Sequence, residues 1–257
     1  MHLHARRAAR LCLALCLFAV PAVVSANVVP LIEARLDALH WQPQPSGDVA
    51  SDGDDFDLED DFGFDRSRTN ILEFGLEHPV PALPNLRLRH WSLDESTTAT
   101  IEQERRFGPV TFTDEEDVRA EYDLALTDAT FYYSPLDNVV ELDLGVTLRY
   151  ADTEVELASR ERDERVRAGG SVILPLAHAG ARVDLPLTGL YLSGELNVIR
   201  AGGNGLRDVR AGIGWEAARL IGVEAGYQSL RIDIDDVDDL DADIDLGGPY
   251  VAARFRF

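Results

Sequence analysis

The sequence predicts an all-β fold in which about ten antiparallel strands close into a transmembrane barrel, and three observations lead to this prediction. First, segments of about ten residues with strict period-two alternation recur after residue 26. Second, long acidic stretches alternate with short turns rich in proline or asparagine between these segments. Third, no window after residue 26 has the 18 or more consecutive apolar residues of a membrane-spanning helix. Because an even number of strands returns both ends to one side, eight and twelve strands are the alternatives.

Residues 1–26 have the pattern of a secretory signal peptide. Arg6, Arg7 and Arg10 form a basic region, Leu11 to Val20 an apolar core, and residues 24–26 a small-residue cleavage site. Both cysteines of the chain lie in this leader. The exported chain is therefore predicted to have neither a disulfide nor a thiolate metal site.

Residues 27–257 are predicted to form a single outer-membrane barrel domain with a strongly acidic charge. Removing the leader's three arginines from the net charge of −22 leaves −25, and every remaining basic side chain is arginine. This balance argues against nucleic acid or an anionic membrane surface as a partner, because both require a basic surface. We expect a monomer whose partners are outer-membrane lipids and lipopolysaccharide.

The first three strands are predicted at Leu31 to Trp41, at Thr69 to Glu77 and from Leu86 onward. The acidic residues 42–68 between the first two are predicted to form a mobile loop, since they offer little apolar surface to bury. The sequence HPVPALPN at His78–Asn85 is predicted to end the second strand, because each proline removes a backbone donor.

The fourth strand is predicted at Val118 to Tyr133, after a loop at residues 95–117 that contains a small hairpin near Phe107-Gly108-Pro109. Its lipid-facing side chains are assigned to Tyr122, Leu124 and Leu126. The same register turns Asp128 toward lipid. A β-bulge near Asp128 is therefore predicted, which shifts the lipid face to Phe131 and Tyr133.

The fifth strand, Val140 to Tyr150, shows the clearest alternation of the chain. The charged stretches at residues 152–165 and 233–245 are predicted to be loops. The sixth strand begins near Val166, and Pro175 makes its end uncertain. The remaining strands are predicted at Leu190–Ile199, at Val209–Trp215, near Val223–Gln228 and at the C-terminal segment.

The apolar sets are predicted to face lipid and the charged sets to face the lumen. The predicted lumen carries Arg35, Arg87, Arg89, Arg119, Arg149, Arg210, Arg254 and Arg256 opposite Glu33, Glu73, Glu121, Asp143, Glu195 and Glu224. A predicted aromatic belt at the strand ends consists of Trp41, Tyr132, Tyr133, Tyr150 and Tyr250. A barrel of about ten strands is largely filled by its side chains, so any pore is predicted to be narrow or plugged.

The segment Gly247–Phe257, GGPYVAARFRF, alternates strictly after its proline. Val251, Ala253, Phe255 and Phe257 point one way, and Arg254 and Arg256 point the other. This ending resembles the C-terminal signature of bacterial outer-membrane β-barrels. The resemblance implies recognition by the barrel-assembly machinery through the last strand and location in the outer membrane of a Gram-negative cell.

A wider resemblance covers the whole exported chain. The leader, the acidic first loop, HPVPALPN at residues 78–85, LPLTG at residues 185–189 and the GPY…RF ending resemble a family of uncharacterised proteobacterial outer-membrane β-barrel proteins. That family has no established activity. The resemblance therefore implies fold and location, and it assigns no site residue.

No catalytic residue, cofactor or metal ligand is predicted. His90 and Ser92 repeat the H-x-S spacing of lipid A deacylases and share the lipid-side face of one strand, but no third residue that orients the histidine can be named. An interfacial histidine beside a small polar residue is the expected interpretation. His40, His78 and His178 lie in separate segments and form no predicted zinc site.

The acidic runs Asp52–Asp61 and Asp233–Asp245 contain enough carboxylates for calcium, which takes six to eight oxygen ligands. Neither run has the glycine and distal glutamate of an EF-hand loop, so solvated acidic loops are expected. We therefore expect an integral outer-membrane barrel without catalysis, with an envelope structural role or a narrow channel. A lipid A-modifying enzyme and a soluble secreted lipocalin-like barrel are the alternatives.

Overall fold

The computed structural model describes residues 32–51, 54–59, 66–101, 105–107, 110–113, 116–162, 164–217, 220–237 and 240–257. The signal peptide and cleavage site predicted in residues 1–26 lie outside the described residues. Among the residues it does describe, no helix is long and apolar enough to cross a membrane.

The described chain is built from β-strands joined by short connections. The strands are β1 (Glu33–Trp41), β2 (Gln44–Ser51), β3 (Asp54–Asp57), β4 (Thr69–Glu77), β5 (Asn85–Ile101), β6 (Arg105–Phe107), β7 (Val110–Phe112), β8 (Glu116–Asp137), β9 (Val140–Ser159), β10 (Arg165–Asp184), β11 (Leu190–Ala201), β12 (Asn204–Ala217), β13 (Ile221–Val237) and β14 (Leu240–Arg256). The hairpin of β6 and β7 agrees with the small hairpin predicted near residue 108.

Ten strand positions close into an antiparallel barrel, as predicted. The order is β1, β4, β5, β8, β9, β10, β11, β12, β13 and β14, and β14 pairs back to β1. The strand β2 pairs with the first half of β14, and β3 pairs with β2, so both extend the wall beyond β1 and β4. We call the end with the 78–84, 138–139 and 185–189 connections the turn end, and the opposite end the loop end.

The strands continue far into stretches that the sequence predicted to be loops. β5 runs to Ile101, β9 runs to Ser159 and β14 begins at Leu240. The mobile loop predicted at residues 42–68 is also wrong in part, because residues 44–51 and 54–57 are paired strands. Acidic residues in these stretches alternate with apolar ones, and such alternation forms a strand whose acids face water.

The wall near the turn end has an apolar outer surface, which we call the belt. Its exposed members include Leu36, Leu72, Phe74, Leu88, Phe131, Val140, Leu144, Val146, Leu148, Tyr150, Leu192, Val209, Ile213, Trp215, Val223, Tyr227, Val251 and Phe255. Charged side chains fill the interior at the same level. This is the arrangement of a transmembrane β-barrel, with an apolar outside and a polar inside.

Toward the loop end the two faces exchange character on the same strands. The interior there is apolar, and we call its buried side chains the apolar plug: Leu39, Trp41, Ile71, Trp91, Leu93, Leu124, Leu126, Leu176, Leu206, Leu230 and Leu246. The outer face of this half is polar, with Asp94, Asp123, Asp152 and Arg207 exposed. The barrel is therefore apolar outside and charged inside at one end, and the reverse at the other.

This exchange overturns the bulge predicted near Asp128. β8 keeps one continuous register with β5 from Glu116 to Tyr132 and with β9 from Val118 to Tyr133, and its register shift against β9 comes later, between Tyr133 and Leu136. Leu124, Leu126 and Asp128 all point inward and are buried. No bulge is needed because the lining changes from apolar to polar along one face.

Two other predicted assignments are wrong for the same reason. Arg119 and Glu121 lie on the outer face of β8 near the loop end, where they form an exposed ion pair of 3.4 Å. Of the predicted aromatic belt, only Tyr133 and Tyr150 are exposed. The other three aromatic residues point into the barrel and are buried, namely Trp41, Tyr132 and Tyr250.

Candidate functional site

The most concentrated chemistry of the described chain is a set of ion pairs inside the belt, which we call the charged layer. Its members are Arg35, Arg87, Arg89, Arg149, Arg210 and Arg254 with Asp37, Glu73, Asp128, Asp143, Glu195, Asp208 and Glu224. Alternate residues of a strand share one face, so Arg87 and Arg89 both enter the lumen from β5. Six cations face seven carboxylates, so the layer is nearly neutral although the chain is strongly acidic.

Glu73 is the most highly paired carboxylate of the charged layer. One oxygen accepts from Arg89 Nε and Arg210 Nη2, each at 3.0 Å. Its other oxygen lies 3.5 Å from Arg35 Nη2 and 3.6 Å from Arg87 Nε. Four guanidinium groups around one buried carboxylate compensate its charge.

Glu195 has an equivalent position on the opposite wall. Its carboxylate accepts from Arg87 Nη1 at 3.1 Å and from Arg210 Nη2 at 2.9 Å, and it also pairs with Arg89. Asn197 donates to it at 3.0 Å. The three arginines therefore link Glu73 to Glu195 through the centre of the barrel.

Arg149 anchors the side of the charged layer nearest the apolar plug. Its Nε and Nη2 donate to the two oxygens of Asp128, both at 2.7 Å, which is the bidentate geometry of a strong arginine–carboxylate pair. The same Nη2 also donates to Asp208 at 2.5 Å. The Arg149 side chain has no exposed surface, so this charge depends entirely on its two carboxylates.

Arg254 and Glu224 form a further group of polar contacts in the charged layer, toward the turn end. Arg254 donates from Nε to Asp37 at 3.0 Å and from Nη1 to the hydroxyl of Tyr191 at 3.0 Å. Glu224 accepts from the hydroxyl of Tyr250 at 2.5 Å. The last strand is thus tied to β1, β11 and β13 by polar contacts inside the barrel.

Uncharged polar side chains complete the layer on the β8 to β11 side. The ring of His178 pairs through Nδ1 with Asn197 at 2.8 Å, Thr147 donates to the same Asn197 oxygen at 2.7 Å, and Thr130 pairs with Thr147 at 2.8 Å. These groups are buried, so each contact replaces a lost contact with water.

The charged layer crosses the lumen instead of lining it. Glu73 and Arg210 belong to β4 and β12, which are four positions apart around a ring of ten strands. Arg89 and Glu195 belong to β5 and β11, which are also four positions apart. Side chains therefore meet across nearly the full diameter of the lumen at this level.

The apolar plug also packs inside the lumen, toward the loop end. Trp41 and Trp91 meet edge to face with ring centroids 5.2 Å apart, and the indole of Trp41 donates to the carbonyl of Gly248 at 3.2 Å. Both rings are almost fully buried. On the turn-end side of the charged layer there is a small polar cavity of about 50 Å³, lined partly by Arg35, Arg182 and Glu141.

The residues weighed as a catalytic pair lie outside the charged layer. His90 and Ser92 do share the exposed outer face of β5, as predicted. However, His90 Nδ1 pairs with Thr127 Oγ1 at 2.9 Å, and within the described chain no hydrogen bond joins it to Ser92. The geometry therefore gives no activated serine.

The other histidines and the acidic runs form no metal site among the described residues. His40 pairs with Asn70 at 3.1 Å on the outer face. His78 organises the HPVPALPN turn, where its Nε2 pairs with the carbonyl of Pro84 at 3.1 Å and its Nδ1 accepts from Val80 at 3.2 Å. Part of the acidic run at residues 52–61 lies outside the described residues.

Sequence reasoning placed most of the charged layer correctly but its set of lumen residues missed three carboxylates, Asp37, Asp128 and Asp208. The signal for Asp208 was its spacing of two from Arg210, which puts both on one face of β12. The inward position of Asp128 was not recognised, because the residues that precede it on the same face of β8 are apolar. Arg119 and Glu121, which were predicted to join the layer, do not.

No family model matches the chain, and no curated protein matches it, so the predicted family membership stays a prediction. Among solved structures, the translocator domain of the autotransporter NalP from Neisseria meningitidis is similar at 10% identity over 91% of this chain and 90% of that chain, with a TM-score of 0.44. Ail, the attachment invasion locus protein of Yersinia pestis, is similar at 12% identity over 88% of this chain and 98% of that chain, with a TM-score of 0.34. The toluene transporter TodX of P. putida is similar at 8% identity over 89% of this chain and 91% of that chain, with a TM-score of 0.35. At these identities and TM-scores we draw no functional argument from the similarity.

Proposed function

We propose that this protein is an integral outer-membrane β-barrel that does not conduct solutes and has a structural role in the cell envelope. The carrying observation is the exchange of apolar and polar faces along the same strands. A barrel in water throughout would bury its apolar residues inside at both ends, whereas this one exposes Phe74, Leu148 and Phe255 around its turn end. An apolar surface that continues around the barrel in this way is suited to contact with hydrocarbon.

The height of the belt supports this assignment. On β9 the outward apolar residues run from Val140 to Tyr150, which is eleven residues. At ~3.3 Å per residue and a tilt of ~40°, such a stretch spans roughly 25–28 Å, close to the apolar band of outer-membrane barrels. Beyond Tyr150 the next outward residues on β9 are Asp152 and Glu154, which fit water and headgroups.

Two sets of side chains that meet inside the lumen, the charged layer and the apolar plug, support a non-conducting barrel. An ion that crosses the barrel has to break the buried pairs of Arg89 and Arg210 and then pass between Trp41 and Trp91. The first step leaves buried charges of the protein without a partner, and the second places the ion itself in an apolar, low-dielectric interior. The absence of catalysis is part of the proposal, and mass spectrometry of lipid A from cells with and without the protein tests it.

Tryptophan quenching by brominated lipids tests the membrane assignment. The chain has three tryptophans. Trp215 is exposed on the belt, whereas Trp41 and Trp91 are buried in the apolar plug. We expect brominated lipids to quench part of the wild-type fluorescence, and we expect Trp215→Phe to remove most of that quenching.

Trp41→Phe is the matched control, because it removes a tryptophan but keeps Trp215. Its fluorescence should be quenched at least as strongly, in proportion, as that of the wild type. Equal quenching of wild type and Trp215→Phe, or none in either, would contradict a lipid-facing belt. Conductance steps of the wild type in planar bilayers would contradict a closed lumen independently of the membrane assignment.

A further inference from the structure

The outer face just beyond the belt, which we call the rim, differs in charge around the barrel. On β5, β8 and β9 the rim carries Asp94, Asp123 and Asp152. On three adjacent strands elsewhere it carries arginine, namely Arg200 on β11, Arg207 on β12 and Arg231 on β13. The same outer face also carries Asp233 on β13 and Asp243 and Asp245 on β14. The basic part of the rim is therefore limited to β11 and β12.

The strand register brings these arginines close together. Arg207 lies directly opposite Arg231, and Arg200 lies opposite Gly205, which places it diagonally across from Arg207. Directly opposite side chains have Cβ atoms about 5 Å apart, and diagonal ones about 7 Å apart. Like charges directly opposite one another destabilise a sheet unless an anion separates them.

The protein itself supplies that anion for one of the three arginines. Arg231 donates from Nη2 to Asp243 at 2.6 Å and from Nε to Asp233 at 3.2 Å. Arg200 and Arg207 are exposed, and neither forms an ion pair with any described residue. Two guanidinium groups therefore remain available at neighbouring positions on the outer face.

The level of these two arginines indicates what approaches them. On the same outer faces, the next residues toward the turn end are Val198 below Arg200 and Val209 below Arg207. The arginines thus border the belt at its edge nearest the loop end. An anion at this height that also covers apolar surface is an anionic lipid, whose phosphate lies at the boundary between headgroups and acyl chains.

The hairpin between β11 and β12 leaves this position accessible. It turns at Ala201–Asn204, where Gly202 and Gly203 have positive φ values of 61° and 97°. β10 pairs with β11 only from Ala177 onward, although β10 begins at Arg165. The wall at β11 and β12 is therefore lower than at the neighbouring hairpin of β9 and β10.

We propose that Arg200 and Arg207 form a binding site for a phosphate group of an anionic outer-leaflet lipid, whose acyl chains lie over Val198 and Val209. The site rests on the proposed membrane function. Arginine suits it because the planar guanidinium group donates two parallel hydrogen bonds to a phosphate. The acidic rim of β5, β8 and β9 repels the same ligand, so binding is confined to one side of the barrel.

A titration with bis-phosphorylated lipid A in detergent micelles tests the proposal. We expect the folded Arg200→Gln/Arg207→Gln variant to bind at least tenfold more weakly than the wild type, since two charge-assisted contacts are lost. The matched control is Arg119→Gln/Arg165→Gln, which removes two exposed arginines that already pair with Glu121 and Glu156. It should stay within twofold of the wild type.

The ligand provides a second test. Lipid A without phosphates should bind the wild type as weakly as the intact lipid binds the Arg200→Gln/Arg207→Gln variant, and equimolar inorganic phosphate should not displace intact lipid A. Equal binding by wild type and this variant, an equal loss in the control, or displacement by free phosphate would overturn the site. Gel mobility before and after heating confirms that each variant is folded. Cell fractionation separates the two proposals, because a protein absent from the outer membrane overturns the proposed function itself.

Discussion

The two halves of the barrel use one alternating pattern in opposite senses. Near the turn end the inward residues of β8 are Asp128 and Thr130, and near the loop end they are Leu126 and Leu124. The register does not change between them. Alternation therefore determines which residues share a face, whereas the surrounding medium determines which chemical character that face has.

The halves also differ in what stabilises their interiors. The apolar plug excludes Trp91, Leu93 and their neighbours from water, which contributes ~25 cal/mol per Å² of apolar surface buried. The charged layer gains nothing of this kind. It is tolerated because every buried charge in it has a close partner, so removal of one partner should be more damaging than removal of a pair.

The largest loss of stability is expected for Arg149→Met. This substitution removes the cation nearest to Asp128 and Asp208, and both carboxylates stay buried. The next cation, Arg89, lies 3.9 Å from Asp128 and 3.5 Å from Asp208. Breaking a buried ion pair in this way costs about 3–5 kcal/mol. Urea unfolding in lipid vesicles would measure the loss in the free energy of unfolding.

The control for this substitution neutralises the carboxylates as well. Arg149→Met/Asp128→Asn/Asp208→Asn leaves no uncompensated charge at this position, so it should recover most of the lost stability. A single Arg149→Met variant within about 1 kcal/mol of the wild type would show that the pairs are solvated. The two interiors would then not differ in the way their charges are stabilised.

The second comparison places the same charge, an arginine, at two levels of the outer face of β8. Ala129 lies on the belt between Leu88 and Leu148, and Ala125 lies four residues away on the same face between Ser92 and Asp152. Ala129→Arg is expected to cost about 1–3 kcal/mol, because Ala129 lies between the midplane of the belt, where an arginine costs most, and its edge. Ala125→Arg is expected to change the free energy of unfolding by less than about 0.5 kcal/mol.

Both variants can be measured in the same vesicles, and the difference between them is the informative quantity. Equal tolerance of the two substitutions would mean that water reaches the outer face at Ala129, as in a soluble barrel. Equal damage would mean that lipid extends to Ala125, which would move the membrane boundary beyond Tyr150.

Much of the fold was predictable because the strand count and the pairing order depend on local alternation and short turns. Strand β4 was predicted with its observed bounds, Thr69–Glu77. The ends of the long strands were not predictable in the same way, because acidic residues at the loop end were interpreted as loop. The alternation of Asp241, Asp243 and Asp245 with apolar residues was the available signal.

The charged layer was only partly predictable for a different reason. Face assignment identified Arg87 and Glu195 as lumen residues, but their contact joins residues 108 positions apart across the barrel. The position where the lining changes from charged to apolar also depends on the membrane surface, which no local pattern records. Arg119 was misplaced because its strand was assumed to have one character throughout.

The smallest expected effect concerns two carboxylates on the acidic rim. Asp94 and Asp123 lie directly opposite each other on β5 and β8. A hydrogen bond from Asp94, together with partial burial and nearby carboxylates, raises the pKa of Asp123 from 3.8 to about 6. A carboxyl group whose pKa is raised on folding stabilises the protein when protonated, so this contribution is complete below pH ~4 and is lost as pH rises through about 6. Because Asp123 is exposed, solvent screening keeps the effect below about 1 kcal/mol. We expect the urea midpoint of the wild type to fall between pH 5 and pH 7 by more than that of Asp123→Asn, and an identical pH dependence in both proteins would assign the titration to other groups.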